Sequence, residues 1–518
     1  MLIGRSNGGK TMMRYSRVPA IAIFLITVLL PGRTGAKAGP SAPFLYYYSD
    51  NRAAFIIERA DGTDSRILSS YKLPATSDFI GGPGWSPSGQ WFAWTASIGG
   101  GTGADENSIA YVVSRDGKQL FSYPDATGEV QSMEWSPTAD LLMLQRQVPI
   151  NLYAKEVYVV DIIRQKTILM LSESQLGVSF WDEEWSPDGQ YIIVHYANST
   201  RGFGYGMKVI PVAGANIEDR SLYVNDPGFW WPNWSKGDVV AYTDPTNQIL
   251  TVENFNTKQI ERLTAPGCIV YTDWNRDSKY AFVYTAHSDN ACQKAPYQVW
   301  LLSVPDKTIT LLSDQLDDAP NAPISTWSPT DDKGIYKAQG NLYLVTVSPL
   351  HTDRISALPN DISYTQNVIQ WTSRGTRVVF VNQQTAQGSD IVAYNPSLKK
   401  TETIVHTDPQ LPNIYHFSFS PDELFLVYTG YGDAYIFDVT SGKKVKVGFK
   451  SSVYPDNGVD NFIWHPTQHW FIMTYSQTWP AGVLGVASSD GSFMREVGGE
   501  CNLYIPSCFG WVPELGTF

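Results

Sequence analysis

Positive charge is scarce in this chain. Its 518 residues hold 38 Lys and Arg against 50 Asp and Glu, a net charge of −12. Six of the basic residues fall in the first 38 positions, which contain no acid, so residues 39–518 carry −18. Such a surface repels phosphate backbones and anionic lipid, which argues against nucleic acid or an anionic membrane as partner. It permits a cationic partner without requiring one, since net charge speaks first to solubility. Membrane-spanning runs are missing after the N-terminal region. Motifs of chemistry are missing too. There is no Gly-x-Ser-x-Gly elbow, no phosphate-binding glycine loop with its Lys, no His-Glu-x-x-His and no Cys-x-x-Cys. The seven histidines form no constellation. His465 and His469 are four apart, but they straddle a turn, and that spacing serves a helical metal site. The expectation is no metal, no cofactor and no catalytic residue assigned.

What the chain has in abundance is one phrase. Trp185-Ser186-Pro187-Asp188-Gly189 recurs at Trp85, Trp135 and Trp327, and in eroded form at Trp234, Trp274, Trp371, Phe419 and Trp464. Successive anchors lie 50, 50, 49, 40, 53, 44, 48 and 45 residues apart, a period that marks propellers and solenoids. Each period holds short runs rich in β-branched and aromatic residues, bounded by Gly, Pro, Asn and Asp, as in Val157–Asp161 and Ala434–Asp438. Four such runs per period describe a propeller blade. Within the phrase, Ser, Pro and Gly occupy the positions i, i+1 and i+3 that a type I turn favours. The Trp before it is bulky enough to fill the space between neighbouring blades.

These repeats resemble the TolB-like branch of the WD-type β-propellers. Their phrase is Trp-Ser-Pro-Asp-Gly followed by an apolar strand and a strand ending in Asp. The resemblance spans nearly the whole chain after the N-terminal region and implies an all-β propeller; for TolB-like proteins it also implies a periplasmic protein partner. A separate N-terminal domain of the kind TolB carries is not evident. Fold alone does not fix function.

In chain order, residues 1–38 read as a signal peptide. Arg5, Lys10, Arg14 and Arg17 form a basic start, Val18–Leu30 an apolar run too short to span a bilayer comfortably, and Ala36-Lys37-Ala38 a cleavage site. Residues 39–518 are then an exported propeller, periplasmic or extracellular. Phe44–Tyr48 reads as a second strand whose blade lacks its first. Trp511, 47 residues after Trp464, supplies it at the other end. The N- and C-terminal strands therefore pair to close a propeller of about ten four-stranded units, a single continuous ring being expected and two rings the alternative. Export also makes disulfides available, and the expected pairs are Cys268–Cys292, from the start of an innermost strand to the loop after the next strand of that blade, and Cys501–Cys508, which flank the closing strand.

Function is read from one face. The longest insertions follow the second strand of a blade: Ser97–Asn107, Ala197–Gly206 and His287–Pro296. They share a face with the segments entering the innermost strands, which include Phe180, Trp181 and Asp182 and also Phe229, Trp230 and Trp231. These six residues are the candidate binding residues, against the plainer reading that the aromatics are core. Asp182, Glu183 and Glu184 form an acidic cluster, read as solvated or rim carboxylates, with cation binding or acid/base work as the alternatives. The expected function is a non-enzymatic binding or scaffold protein for a protein, peptide or glycan. The alternative is an exported lyase or glycosidase acting on polysaccharide at the channel mouth, which needs clustered His, Arg or paired carboxylates.

Overall fold

A computed structural model describes residues 42–514. The intervals 50–53, 69–76, 99–106, 124–128, 149–150, 199–203, 214–217, 222–233, 244–248, 265–266, 287–296, 317–324, 358–368, 385–387, 407–413, 415, 431–432, 448–458, 479–480 and 503–507 lie outside the description. Ten antiparallel sheets follow one another along the chain as a ten-bladed β-propeller. Blade 1 is composite. Its inner strand, Phe509–Trp511, pairs with Phe44–Ser49, and Ala54–Arg59 and Arg66–Ile67 complete the sheet outwards. Blade 2 runs from Ser77–Trp85 through Trp91–Ile98 and Asn107–Ser114 to Leu120–Tyr123. The inner strands of blades 3, 4 and 6 are Glu129–Trp135, Phe180–Trp185 and Cys268–Trp274. Those of blades 7 to 10 are Ser325–Trp327, Ile369–Trp371, His416–Phe419 and Val459–Trp464. Blade 5 shows three strands among the described residues, Val239–Thr243, Ile249–Asn254 and Gln259–Thr264. A single helical turn, Glu173–Leu176, separates blades 3 and 4. The repeat pattern did not foreshadow it. A capping box between Ser172 and Gln175 and a left-handed Gly177 fix its ends.

The anchor phrase folds as its residues dictate. Gly89 and Gly189 donate their amides to the carbonyls of Ser86 and Ser186 at 2.8 Å, closing the turn. The residue after each anchor, from Ser86 through to His465, is at most 3% exposed, and it always carries a side-chain acceptor. In blades 4, 6 and 8 that acceptor takes an amide further along the turn, Tyr191 N on Ser186 Oγ at 2.9 Å, Tyr280 N on Asn275 Oδ1 at 3.0 Å and Arg377 N on Thr372 Oγ1 at 3.3 Å. His465 does the same with Nδ1, accepting from Gln468 N at 3.1 Å. Erosion of the phrase therefore spares the one atom the buried turn needs, because a buried amide without a partner is costly.

The Trp does more than fill space. Trp135 Nε1 donates to Gly84 O, Trp185 to Glu134 O, Trp327 to Asp273 O, Trp371 to Thr326 O, Trp464 to Ser418 O and Trp511 to Ile463 O, at 2.9–3.3 Å. The acceptor is always the residue just before the preceding anchor. Each of these six indoles thus ties its blade to the one before, whereas Nε1 of Trp85, Trp234 and Trp274 is buried with no hydrogen-bond partner among the described residues. Phe419 has no N–H to give; at that junction Gln370 Nε2 donates across to Phe417 O at 3.3 Å.

The anchor turns also bond to each other. Ser88 donates to Asp140, Thr138 to the carbonyl of Asp188, Asp188 N to Asp238, Gly237 N to Ser278 and Asn275 to Asp332. Thr330 donates to the carbonyl of Arg374, Ser373 to that of Pro421, and His469 pairs with Asp422 at 2.6 Å. Gln468 donates to Glu514 of the closing segment, and Arg115 Nη1 to Pro513 O at 2.7 Å. These contacts pass from every blade to the next, and from blade 10 through blade 1 to blade 2. Apolar clusters follow the same order. One of them joins Tyr46, Phe55 and Ile57 of blade 1 to Phe92 and Trp94 of blade 2 and to Ile472, Leu484 and Val486 of blade 10. At the closure Arg495 of blade 10 reaches Glu58 at 2.6 Å and the carbonyls of Arg59 and Ala60.

Candidate functional site

With one face knitted by the anchor turns, the opposite face is where the inner strands begin and where the second strands end. The insertions at 99–106, 199–203 and 287–296 leave from Ile98, Asn198 and Ala286, the ends of second strands away from the anchor turns. The segments lie outside the described residues; the strand ends they leave from are on this face.

The inner strands share a feature there. Each of several carries one extra residue relative to its partner strand. The register slips between Val130 and Ser132, Phe180 and Asp182, Ile269 and Tyr271, and Val459 and Asn461. The extra residue, Gln131, Trp181, Val270 or Asp460, stands four positions before its anchor in blades 3, 4, 6 and 10. Blade 2 slips between Phe79 and Gly81, five before Trp85. A bulge bends the strand and re-aims a side chain, and bulges gather at barrel rims and binding sites. Here they form a recurring layer at the insertion-bearing end of the inner strands. Gln131 is exposed and donates to Gln147 Oε1 at 2.7 Å.

The candidate residues divide. Phe180 is 2% exposed and packs with Val157, Leu171, Trp185 and Tyr196 in the junction between blades 3 and 4. Trp181 is the bulged residue of its strand and Asp182 pairs with His195; their side chains lie outside the description. Phe229, Trp230 and Trp231 lie wholly outside it. Of the acidic cluster, Glu183 is not a solvated rim group. It is buried, accepting from Ser132 Oγ at 2.5 Å and from Gln145 Nε2, so its carboxylate bonds blade 4 to blade 3. Glu184 Oε1 sits 3.4 Å from Nε2 of His195, which is 1% exposed.

A second polar junction was not foreseen. Asp273, just before the anchor of blade 6, accepts from Ser325 Oγ of blade 7 at 2.6 Å, beside Tyr271 and Tyr284. Burial pushes its carboxyl up to about 6, with the Ser325 hydroxyl pulling the other way. Burial also raises both tyrosines. No sequence motif marks this group, because its partners come from a different blade.

Elsewhere, His465 is held below its ordinary value by burial, opposed by Glu514. Among the described residues no three His, Cys, Asp or Glu side chains are grouped to hold a metal, and no helix is long and apolar enough to cross a membrane. Cys508 is buried beside the closing strand; Cys292 and the side chains of Cys268 and Cys501 lie outside the description.

No protein-family model matches this chain, and no curated protein matches it. Solved structures do. A crystal structure of a eukaryotic initiation factor aligns with TM-score 0.50 and 12% identity over 92% of this chain and 99% of that one. TolB from Acinetobacter baumannii aligns with TM-score 0.27 and 15% identity over 63% of this chain and 83% of that one. Porphyromonas gingivalis dipeptidyl peptidase 4 aligns with TM-score 0.39 and 12% identity over 88% and 59%. At these identities the likeness to the initiation factor speaks to fold alone.

Proposed function

We propose that this ten-bladed propeller is an exported, non-enzymatic binding or scaffold protein. It presents the face opposite the anchor turns to a protein, peptide or glycan of the cell envelope or exterior. The observation that carries the reading is the bulge layer at the start of the inner strands, set on a ring whose other face is bonded blade to blade. A rigid scaffold with variable insertions on one face is a common basis for recognition. Trp181, at a bulge, is the first candidate on this face to hold a ligand; Asp182, Phe229, Trp230 and Trp231 remain candidates from the sequence alone. Export rests on the basic start, apolar run and small-residue site of residues 1–38. The cysteine pairs 268–292 and 501–508 belong to the same proposal and rest on the oxidising compartment that export supplies.

The test is a glycan and peptide array probed with residues 39–518, with product analysis of every ligand retained. A parallel sample has 99–106 and 199–203 replaced by short Gly-Ser links and Trp181→Ala. Ligand retained intact by the first protein and lost by the second supports the reading. Retention by both overturns the choice of face. Cleaved glycan overturns the non-enzymatic reading, and Glu184, beside His195, becomes the first carboxylate to replace.

A further inference from the structure

The anchor-turn face holds a cleft that no part of the foregoing function uses. It lies between the outermost strand of blade 1 and the turn joining the last two strands of blade 2, with a volume of about 410 Å³. Its walls are brought close by Gly117, whose φ is +73° and where a Cβ would stand 2.5 Å from Leu68 O. Arg66, Arg115, Trp91, Gln90 and Gln119 line it.

Two guanidiniums share this space in a chain of net charge −12. Arg115 is fixed: Nη1 donates to Gly89 O at 3.0 Å and Pro513 O at 2.7 Å, and the group lies 5.5 Å over the Trp85 ring. Its Nε and Nη2 carry no hydrogen bond among the described residues. Arg66 is exposed, its backbone paired with Ile57, and its side chain makes neither hydrogen bond nor ion pair among them. The one acid in the lining, Asp116, is already committed to Ser114 Oγ at 2.7 Å and to the amide and ammonium of Lys118. Its charge is offset by the Lys118 ammonium at 3.0 Å, so the two arginines leave the cleft net positive. Burial and the nearby Arg66 both hold Arg115 below its ordinary value, so the two cations repel each other. Trp91 is half-buried, its ring tilted 42° against Phe121 at 5.7 Å between centroids, and Gln90 and Gln119 are exposed.

We propose that this cleft is a binding site for an acidic sugar unit. The paired guanidiniums take its carboxylate by charge-assisted hydrogen bonds, the two glutamine amides take its hydroxyls, and the indole of Trp91 meets its apolar ring face. The volume accommodates one or two pyranose rings, as small-ligand sites do. The assignment is independent of the proposed partner face, because the cleft lies at the anchor-turn end of blades 1 and 2.

The probe is glucuronate, titrated into residues 39–518 at pH 7 and low salt, followed by calorimetry and tryptophan fluorescence. Glucose, acetate and an acetylated dipeptide carboxylate serve as controls. Saturable binding of glucuronate with a Kd on the order of 1 mM is expected. Loss of one charge-assisted pair makes binding about tenfold weaker in Arg66→Gln. The Arg66 side chain is exposed and unpartnered, so the variant folds; Arg66→Lys, which keeps charge but not the planar fork, recovers part of the affinity. Equal binding of glucose, or no saturable binding of glucuronate, overturns the proposal. Equal binding of acetate or of the dipeptide overturns its sugar part, and unchanged affinity in Arg66→Gln overturns the site.

Discussion

Asp273→Asn tests the buried acid between blades 6 and 7. The folded protein holds the Asp273 carboxyl at about 6 against an ordinary 3.8. Between those values the folded chain keeps a proton that the unfolded chain has released. Stability therefore falls as pH rises from about 4 to about 6, and the loss persists above that. The rise is worth about 3 kcal/mol as a ceiling. Asp273 retains part of its accessible surface, but the protein packed round it sets the shift, so a loss on the order of 2 kcal/mol is the working expectation. Asparagine preserves the shape and an acceptor for Ser325 and carries no charge at any pH. The difference in thermal midpoint, variant minus wild type, should thus climb across this window and level off above it. With about 2.1 cal/mol/K of unfolding entropy per residue, the climb amounts to roughly 2 °C. The assay is thermal unfolding of both proteins at pH 4, 5, 6, 7 and 8 in matched ionic strength. Other titrating groups cancel in the difference, and any fixed cost of the amide moves the whole curve without changing its shape. A flat difference would refute the assigned burial of the charge.

The remaining predictions address the bonds between blades. Trp185→Phe removes the donor to Glu134 O while keeping most of the packing, and should cost about 1–2 kcal/mol by chemical denaturation; no loss would reduce the indole to filler. Gly189→Ala places a Cβ 2.5 Å from Ser136 Oγ at a φ of +69° and should destabilise by about 1–3 kcal/mol, measured the same way. Arg495→Met strands the buried Glu58 carboxylate and should cost about 3 kcal/mol or more, with proteolysis appearing first in blades 1 and 10. For His465 the sign is the opposite of that for Asp273. Its folded value is depressed, so its contribution is present above about 6.5 and is lost as pH falls below it. His465→Ser, which restores the acceptor used in the other turns, should therefore gain midpoint relative to wild type only on the acid side.

The fold was legible because a blade repeats its local physics. The turn preference of Ser186-Pro187-Asp188-Gly189 and the spacing of the anchors are both written locally, and the missing strand of blade 1 could be matched to Trp511 by period alone. What was not legible depends on neighbours. The indole donors needed the carbonyl before the preceding anchor, which no single repeat displays, and Trp at nine of ten anchors does not tell the six that donate from the three that do not. The bulge at Trp181 adds a residue without changing composition. Glu183 looked like a rim carboxylate because Ser132 and Gln145 lie a blade away, and the cleft at Arg66 and Arg115 joins two blades with no shared motif. Charge count pointed away from it, since it is a local cationic patch in an acidic chain.

The composite first blade has a consequence for the order of synthesis. Phe44–Ser49 emerges among the first strands, yet its inner neighbour is Phe509–Trp511, more than four hundred residues later. Until that segment appears, one edge of the first sheet has no partner, and Tyr46 lacks the Gly510 backbone it packs against. An open edge of this kind is a template for unwanted pairing. The growing chain must therefore keep its first blade shielded until its last strand arrives, and a protein stopped short of residue 509 carries that open edge permanently.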